Sequence, residues 1–161
     1  MDIDSTIEDL EAQAYFASQQ DKTANGFSLI VEVELQHNNQ HSKGLSLALV
    51  GLDFVAGFQN TRGRQTTSWL LIPNQAIRNV SVLQGSLDKA MVELSAAIFL
   101  DSKLRNANAS IQQIDAAQIL HGKLLSVFGN QLVLKANVLR LVPLESIQWL
   151  AVDSLGTTSR S

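Results

Sequence analysis

The regular patterning begins at Ser5-Thr6-Ile7-Glu8, where a hydroxyl residue three places before a glutamate has the form of a capping box. Ile7, Leu10 and Ala14 then share one face at helical spacing, which predicts an amino-terminal helix that stops before Asn25-Gly26. From Phe27 the period changes to two. Phe27, Leu29, Val31, Val33 and Leu35 alternate with Ser28, Ile30, Glu32, Glu34 and Gln36, the mark of a half-buried strand. The polar turn at residues 37–41 leads into a second strand through Leu45, Leu47 and Leu49 as far as Gly51. Residues 54–58 predict a third strand, 59–68 a loop, 69–72 a fourth strand and 77–82 a fifth. The fourth must end at Pro73, since proline has no N–H to give to a ladder.

Residues 86–105 break this rhythm. Leu87, Met91, Leu94 and Ile98 recur at i, i+4, i+7 and i+11 behind Ser86 as N-cap, predicting a second helix. Strand-like runs return at 110–114, 120–128, 131–136, 138–142 and 147–152, and the polar tail 156–161 reads as frayed.

The two β regions carry the same punctuation. Gly44 and Gly51 are seven apart, as are Gly122 and Gly129, and Val55 and Val133 each follow the second glycine by four, inside an apolar triplet. The only two prolines, Pro73 and Pro143, each follow a β-branched residue and precede Ile77 and Ile147 by four. The halves differ by eight residues between the second glycine and the proline, the extra stretch holding Thr61-Arg62-Gly63-Arg64. Tandem duplication is the reading adopted. It predicts a mainly β, α+β chain: an acidic helix (1–24), a five-stranded barrel (25–84), a linking helix (85–107), a second barrel (108–155) and a tail (156–161).

The acidic Asp9-Leu10-Glu11-Ala12-Gln13 helix, Val50-Gly51-Leu52-Asp53-Phe54-Val55, Leu71-Ile72-Pro73, the linking helix and Leu141-Val142-Pro143-Leu144 together resemble a family of uncharacterised actinobacterial proteins. That resemblance implies two Sm-like, Hfq-like (SH3-type) β-barrels in tandem. The wider Sm and Hfq relatives bind RNA as rings, and Val50 to Val55 is similar to their first motif. The spacing from Gly44 to Asp53 is longer than in Hfq, and the Tyr-Lys-His segment with which Hfq holds uridine has no counterpart near Pro73 or Pro143. The resemblance therefore implies a fold and transfers no RNA-contacting residue.

Composition narrows the chemistry. Twelve Lys+Arg against fifteen Asp+Glu, a net of −3 over 161 residues, argue against nucleic-acid binding by bulk charge, and 45% hydrophobic residues argue against disorder. The charge is uneven: residues 1–21 hold six acids and no base, leaving nine acids against twelve bases in the rest, a mildly basic body that permits a local RNA site. The chain has no Cys, hence no disulfide, thiolate metal site or Cys nucleophile. An acidic start unlike a signal peptide, and the lack of any apolar stretch of about 18 residues, predict a cytoplasmic protein without a membrane partner.

Neither a Gly-x-Gly-x-x-Gly nor a Walker pattern occurs, the serines sit in no nucleophile elbow, and His37, His41 and His121 have no visible partner. No catalytic residue, metal or cofactor is expected, and the chain is read as a non-enzymatic binding module. Two kinds of partner stay open. Arg62 and Arg64, joined by Lys43 and Arg78, offer guanidinium and ammonium groups to RNA phosphates. Alternatively, unpaired barrel edges serve protein interaction or homo-oligomer assembly. Trp69 and Trp149 lie in apolar β runs and are expected to pack rather than to stack on bases.

Overall fold

A computed structural model describes residues 29–36, 42–62, 64–85 and 91–153. The expected amino-terminal helix, the turn with His37 and His41, the Ser86 cap and the tail lie outside the described residues.

The strands are β1 (Leu29–Leu35), β2 (Ser42–Val50), β3 (Phe54–Thr61), β4 (Arg64–Pro73), β5 (Ile77–Gln84), β6 (Asn108–Gln113), β7 (Leu120–Phe128), β8 (Gln131–Lys135), β9 (Leu139–Pro143) and β10 (Ile147–Asp153). Among the described residues there is one α-helix, α1 (Ala96–Lys103). All ten strands join a single sheet in the order β5-β1-β2-β3-β4-β10-β6-β7-β8-β9, and every neighbouring pair is antiparallel.

This corrects the expectation of two closed five-stranded barrels with two helices. The backbone edge that β4 would leave bare is taken by β10, with Leu71 opposite Leu150 and Trp69 opposite Val152. Because β10 also pairs with β6, the ladder runs from one half into the other and the sheet stays open, with β5 and β9 as its two edges. A strand edge satisfied by a neighbouring half has no donors or acceptors left with which to close on its own half.

Two further elements depart from expectation. The loop predicted over 59–68 is instead the extended tip of a hairpin: β3 runs to Thr61, β4 starts at Arg64, and Thr61 and Arg64 pair directly. The linking helix is much shorter than 86–105. Met91 lies in a parallel bridge to Val50, the Val92 N–H donates to the Val50 carbonyl and the Leu52 N–H to that of Leu94, so this stretch runs extended beside the end of β2. The helix begins where Ser95 Oγ accepts from the Ile98 N–H at 3.2 Å. Its buried side is Ala96, Phe99 and Leu100 at i, i+3 and i+4, whereas Ile98 of the expected stripe is exposed.

The alternation of β1 is as the period-two pattern requires: Val31, Val33 and Leu35 are buried and Glu32 is exposed. These side chains meet Leu45, Leu47, Val55, Leu70 and Ile72 in a core inside the first half. The opposite faces of β3 and β4 are buried too. Phe54, Ala56, Phe58, Trp69 and Leu71 turn away from that core and join the inside of the second half, Ile111, Leu124, Leu132, Leu134, Val142 and Leu150. Helix α1 sits over this seam. The Phe99 ring centroid is 5.4 Å from that of Phe54 and 5.7 Å from that of Trp69. The strands of the first half approach closely at Gly57, where a Cβ would stand 2.3 Å from the Ser46 carbonyl oxygen. No helix among the described residues is long and apolar enough to cross a membrane.

Candidate functional site

The β4–β10 junction shows how this sequence joins one half to another. Leu71, Leu70, Trp69 and Ser68 lie opposite Leu150, Ala151, Val152 and Asp153. On one face Leu71, Trp69, Leu150 and Val152 share the core under α1; on the other, Leu70 packs with Trp149 and Ala151 in the core of the first half. Lys43 reaches across the same junction, with its Nζ 5.3 Å from the centroid of the Trp149 ring.

The ladders show that the repeat is structural as well as sequential. Val31 opposite Leu45 in β1–β2 corresponds to Ala109 opposite Gly122 in β6–β7. Val50 opposite Val55 corresponds to Val127 opposite Leu132, and each hairpin carries a bulge at the same place, Ala48 and Leu125. Phe54 opposite Pro73 corresponds to Gln131 opposite Pro143, and Val33 opposite Val80 to Ile111 opposite Leu150. Strand β9 is thus the second-half copy of β4, and β5 the first-half copy of β10. Inside the chain the two members of the set that meet are β4 and β10. The two left over, β9 and β5, are the open edges of the sheet.

Those edges carry exposed apolar side chains that are not confined to one face, since Val82 and Leu83 are neighbours in a strand and point to opposite sides. Val82 and Leu83 of β5, and Leu139 and Leu141 of β9 with Val138 just before it, are large hydrophobic residues exposed to solvent. Leu139 and Leu141 hold the places of Trp69 and Leu71; Val80 and Val82 hold those of Leu150 and Val152. On the reverse side Arg140 and Ser81 hold the places of Leu70 and Ala151, and Leu83 shares the face of Ser81, so that face is mixed where the inner junction is apolar. Sequence reasoning named no edge residue. The signal was the proline frame, which aligns residues 139–141 with residues 69–71.

The basic residues proposed for RNA contact are only partly brought together. Arg62 is in the hairpin turn at φ 55°, Arg64 starts β4, both are exposed, and Lys43 lies near the same tip at the start of β2. Gly44 beside it faces the Asn60 carbonyl. Arg78 is elsewhere: it stands next to Asn79, the partner of Glu34, on a strand separated from the hairpin by β1 and β2. At about 4.8 Å per strand it is roughly 14 Å along the sheet from β3.

Two other places have the form of a site. A cavity of about 290 Å³ opens at the seam between Asp53, Gln75, Ser95, Asn130 and Glu145, over Leu71, Leu100 and Leu150. Two of its polar groups are already engaged: Asp53 Oδ1 accepts from the Ala96 N–H of α1 at 2.7 Å, and Gln75 Nε2 ties the two halves by donating to the Leu144 carbonyl at 3.0 Å. His121 Nδ1 is 2.9 Å from Ser110 Oγ, directly across β6–β7, but His121 is on an exposed strand face away from the cavity. No protein-family model matches the chain, and no curated protein sequence matches it.

Proposed function

We propose that the chain is a non-enzymatic interaction and assembly module that works through the open edges of its sheet. The observation that carries this is the placement of Val82, Leu83, Val138, Leu139 and Leu141 on or beside the two outermost strands, exposed to solvent, while the inner junction buries Val152, Trp69 and Leu71 at the places of Val82, Leu139 and Leu141. An open edge with an apolar flank is a template for another strand, supplying backbone hydrogen bonds for affinity and side-chain contacts for selectivity. Leu139 and Leu141 are 63% and 66% exposed, so covering them contributes about 1–2 kcal/mol each. Leu139→Lys/Leu141→Lys should weaken association at least roughly 30-fold while leaving the fold intact. Sedimentation velocity over a wide concentration range measures this; a wild type that stays monomeric throughout sinks the proposal.

A second reading, RNA contact at the β3–β4 hairpin, is favoured by the exposed Arg62 and Arg64 at its tip. Filter binding of mixed-sequence RNA at low and moderate salt tests it. Salt-sensitive retention lost in Arg62→Ala/Arg64→Ala supports that reading, and equal retention by wild type and variant removes it.

A further inference from the structure

We infer that the amino-terminal segment, residues 1–24, lies over the bare side-chain face of β7, β8 and β9 in its own chain. The ladders set three rows of side chains on that face: Lys123, Lys135 and Leu139; Ser126, Val133 and Leu141; Phe128, Gln131 and Pro143. Leu139, Leu141 and Phe128 are 63%, 66% and 79% exposed, so an apolar band stands open beside two lysines. The inference concerns these side chains and not the backbone edge of β9, and it stands without the assembly reading.

The repeat supplies the occupant. In the first half the matching residues are Phe54 for Gln131, Ala56 for Val133, Trp69 for Leu139 and Leu71 for Leu141, and all four are buried in the core that Phe99 and Leu100 of α1 share. Helix α1 precedes the strands of the second half. Residues 1–24 precede those of the first, and carry the stripe of Ile7, Leu10 and Ala14 at helical spacing. Lys135 stands where the first half has the buried Phe58, which makes the second face suited to an occupant that is charged as well as apolar.

Charge selects the same segment. Strands β6 to β9 hold Lys123, Lys135 and Arg140 and no carboxylate. Lys123 is directly opposite Lys135, a like-charge pair that costs stability unless an anion lies over it. Neither lysine has a carboxylate partner among the described residues. Residues 1–21 bring six acids and no base; Glu11 follows Ile7 by four and Asp21 follows Ala14 by seven, so in a helix both fall on the side of the apolar stripe. Reach is sufficient as well. A helix over residues 5–24 is about 30 Å long and residues 25–28 add about 13 Å, whereas β8 is seven strand spacings from β1, at most about 34 Å along the sheet. A partner that packs on Leu139 and Leu141 must first displace the segment.

Because the chain has no cysteine, one introduced thiol reports on one position. In the full-length protein, alkylation of Leu141→Cys by iodoacetamide is compared with that of Leu52→Cys, both positions being 66% exposed, with each rate divided by that of the same protein unfolded in urea. The expected result is a several-fold slower reaction at 141 than at 52, at every protein concentration. Lys123→Glu/Lys135→Glu should remove that protection, Glu11→Lys/Asp21→Lys should remove it too, and the four changes together should restore it, with Leu52→Cys unaffected throughout. Restoration by the second reversal separates a lost contact from a damaged fold. Equal rates at 141 and 52, or protection indifferent to both charge pairs, overturns the inference. Protection that appears only as concentration rises assigns the cover to another copy and likewise overturns it. A monomer in sedimentation with protection intact removes the assembly reading and leaves this one standing.

Discussion

Phe99 is the side chain on which the joining of the two halves most depends, and Phe99→Ala tests that reading directly. It is 1% exposed, stacks on Trp69 at 5.7 Å and meets Phe54 at 5.4 Å, both rings belonging to the outer face of the first half. Around it lie Leu100, Leu104 and the interior of the second half. Truncating a buried phenylalanine costs about 3–5 kcal/mol through lost transfer energy and the cavity left behind. Two aromatic contacts place this site in the upper part of that range. With a typical domain stability of about 5–15 kcal/mol, the loss removes about a quarter or more of the total. For a chain of this length it corresponds to a fall in Tm of about 8–16 °C.

Because the seam core is shared, the wild type should unfold in one cooperative transition seen alike by calorimetry and by tryptophan fluorescence, Trp69 lying in this core and Trp149 in the other. Ile98→Ala, one residue away but 58% exposed, is the control and should stay within about 0.5 kcal/mol. A Phe99→Ala loss below about 1 kcal/mol, or two separate wild-type transitions assignable to the halves, would refute the shared seam.

Smaller perturbations probe the same joints. Asp53→Ala removes the carboxylate oxygen that accepts from the Ala96 N–H at 2.7 Å and should cost about 0.5–2 kcal/mol in denaturant unfolding, with Asp53→Asn recovering most of it; no change would mean that the tie between β3 and α1 is dispensable. Asp101 holds the second half as Asp53 holds the first, its Oδ1 accepting from the Val127 N–H at 3.0 Å, and Asp101→Ala should lower stability by about 1–2 kcal/mol. Gly57→Ala drives a Cβ to 2.3 Å from the Ser46 carbonyl oxygen, a backbone atom that cannot rotate away, so β2 and β3 must separate at a cost of about 1–3 kcal/mol or more; a neutral alanine by thermal melting would show that the strands are less tightly apposed there.

Local alternation made most strands legible. In β1 the buried Val31, Val33 and Leu35 and the exposed Glu32 announce period two, and Pro73 and Pro143 each end the last residue of a strand before a short 3-10 turn. The helix is shorter than the 86–105 pattern implies because an i, i+4, i+7 spacing does not distinguish a helical stripe from residues that take turns touching different neighbours. Met91 bridges to Val50 and Ile98 is exposed, while the residues that hold the helix to the seam, Ala96, Phe99 and Leu100, fall on a different face. The joining of β4 to β10 left no local mark at all, since a strand buried on both sides reads as a continuous apolar run whatever lies beside it.

The repeat was legible in its existence and misleading in its phase, for a reason that bears on the edges. Matching glycine to glycine sets Val55 against Val133, yet the ladders set Val55 against Leu132, one residue earlier: Val55 faces Ile72, and Leu132 faces Val142. Gly51 then corresponds to Phe128, and Gly129, at φ 63°, to Leu52, so the glycines serve different turns. A slip of one residue reverses every side chain in a strand. The sequence hides this slip because β3 is buried on both faces, Val55 toward one core and Phe54 and Ala56 toward the other, which leaves the triplet Phe54-Val55-Ala56 without parity. The half-exposed β8 and β9 do carry parity: Leu132 and Leu134 are buried where Val133 is not, and Leu139-Arg140-Leu141 places its two leucines on the side opposite Arg140. The proline frame, 70 residues apart in both β4 against β9 and β5 against β10, keeps this parity, and it is the alignment that identifies β9 as the copy of β4 and β5 as the copy of β10.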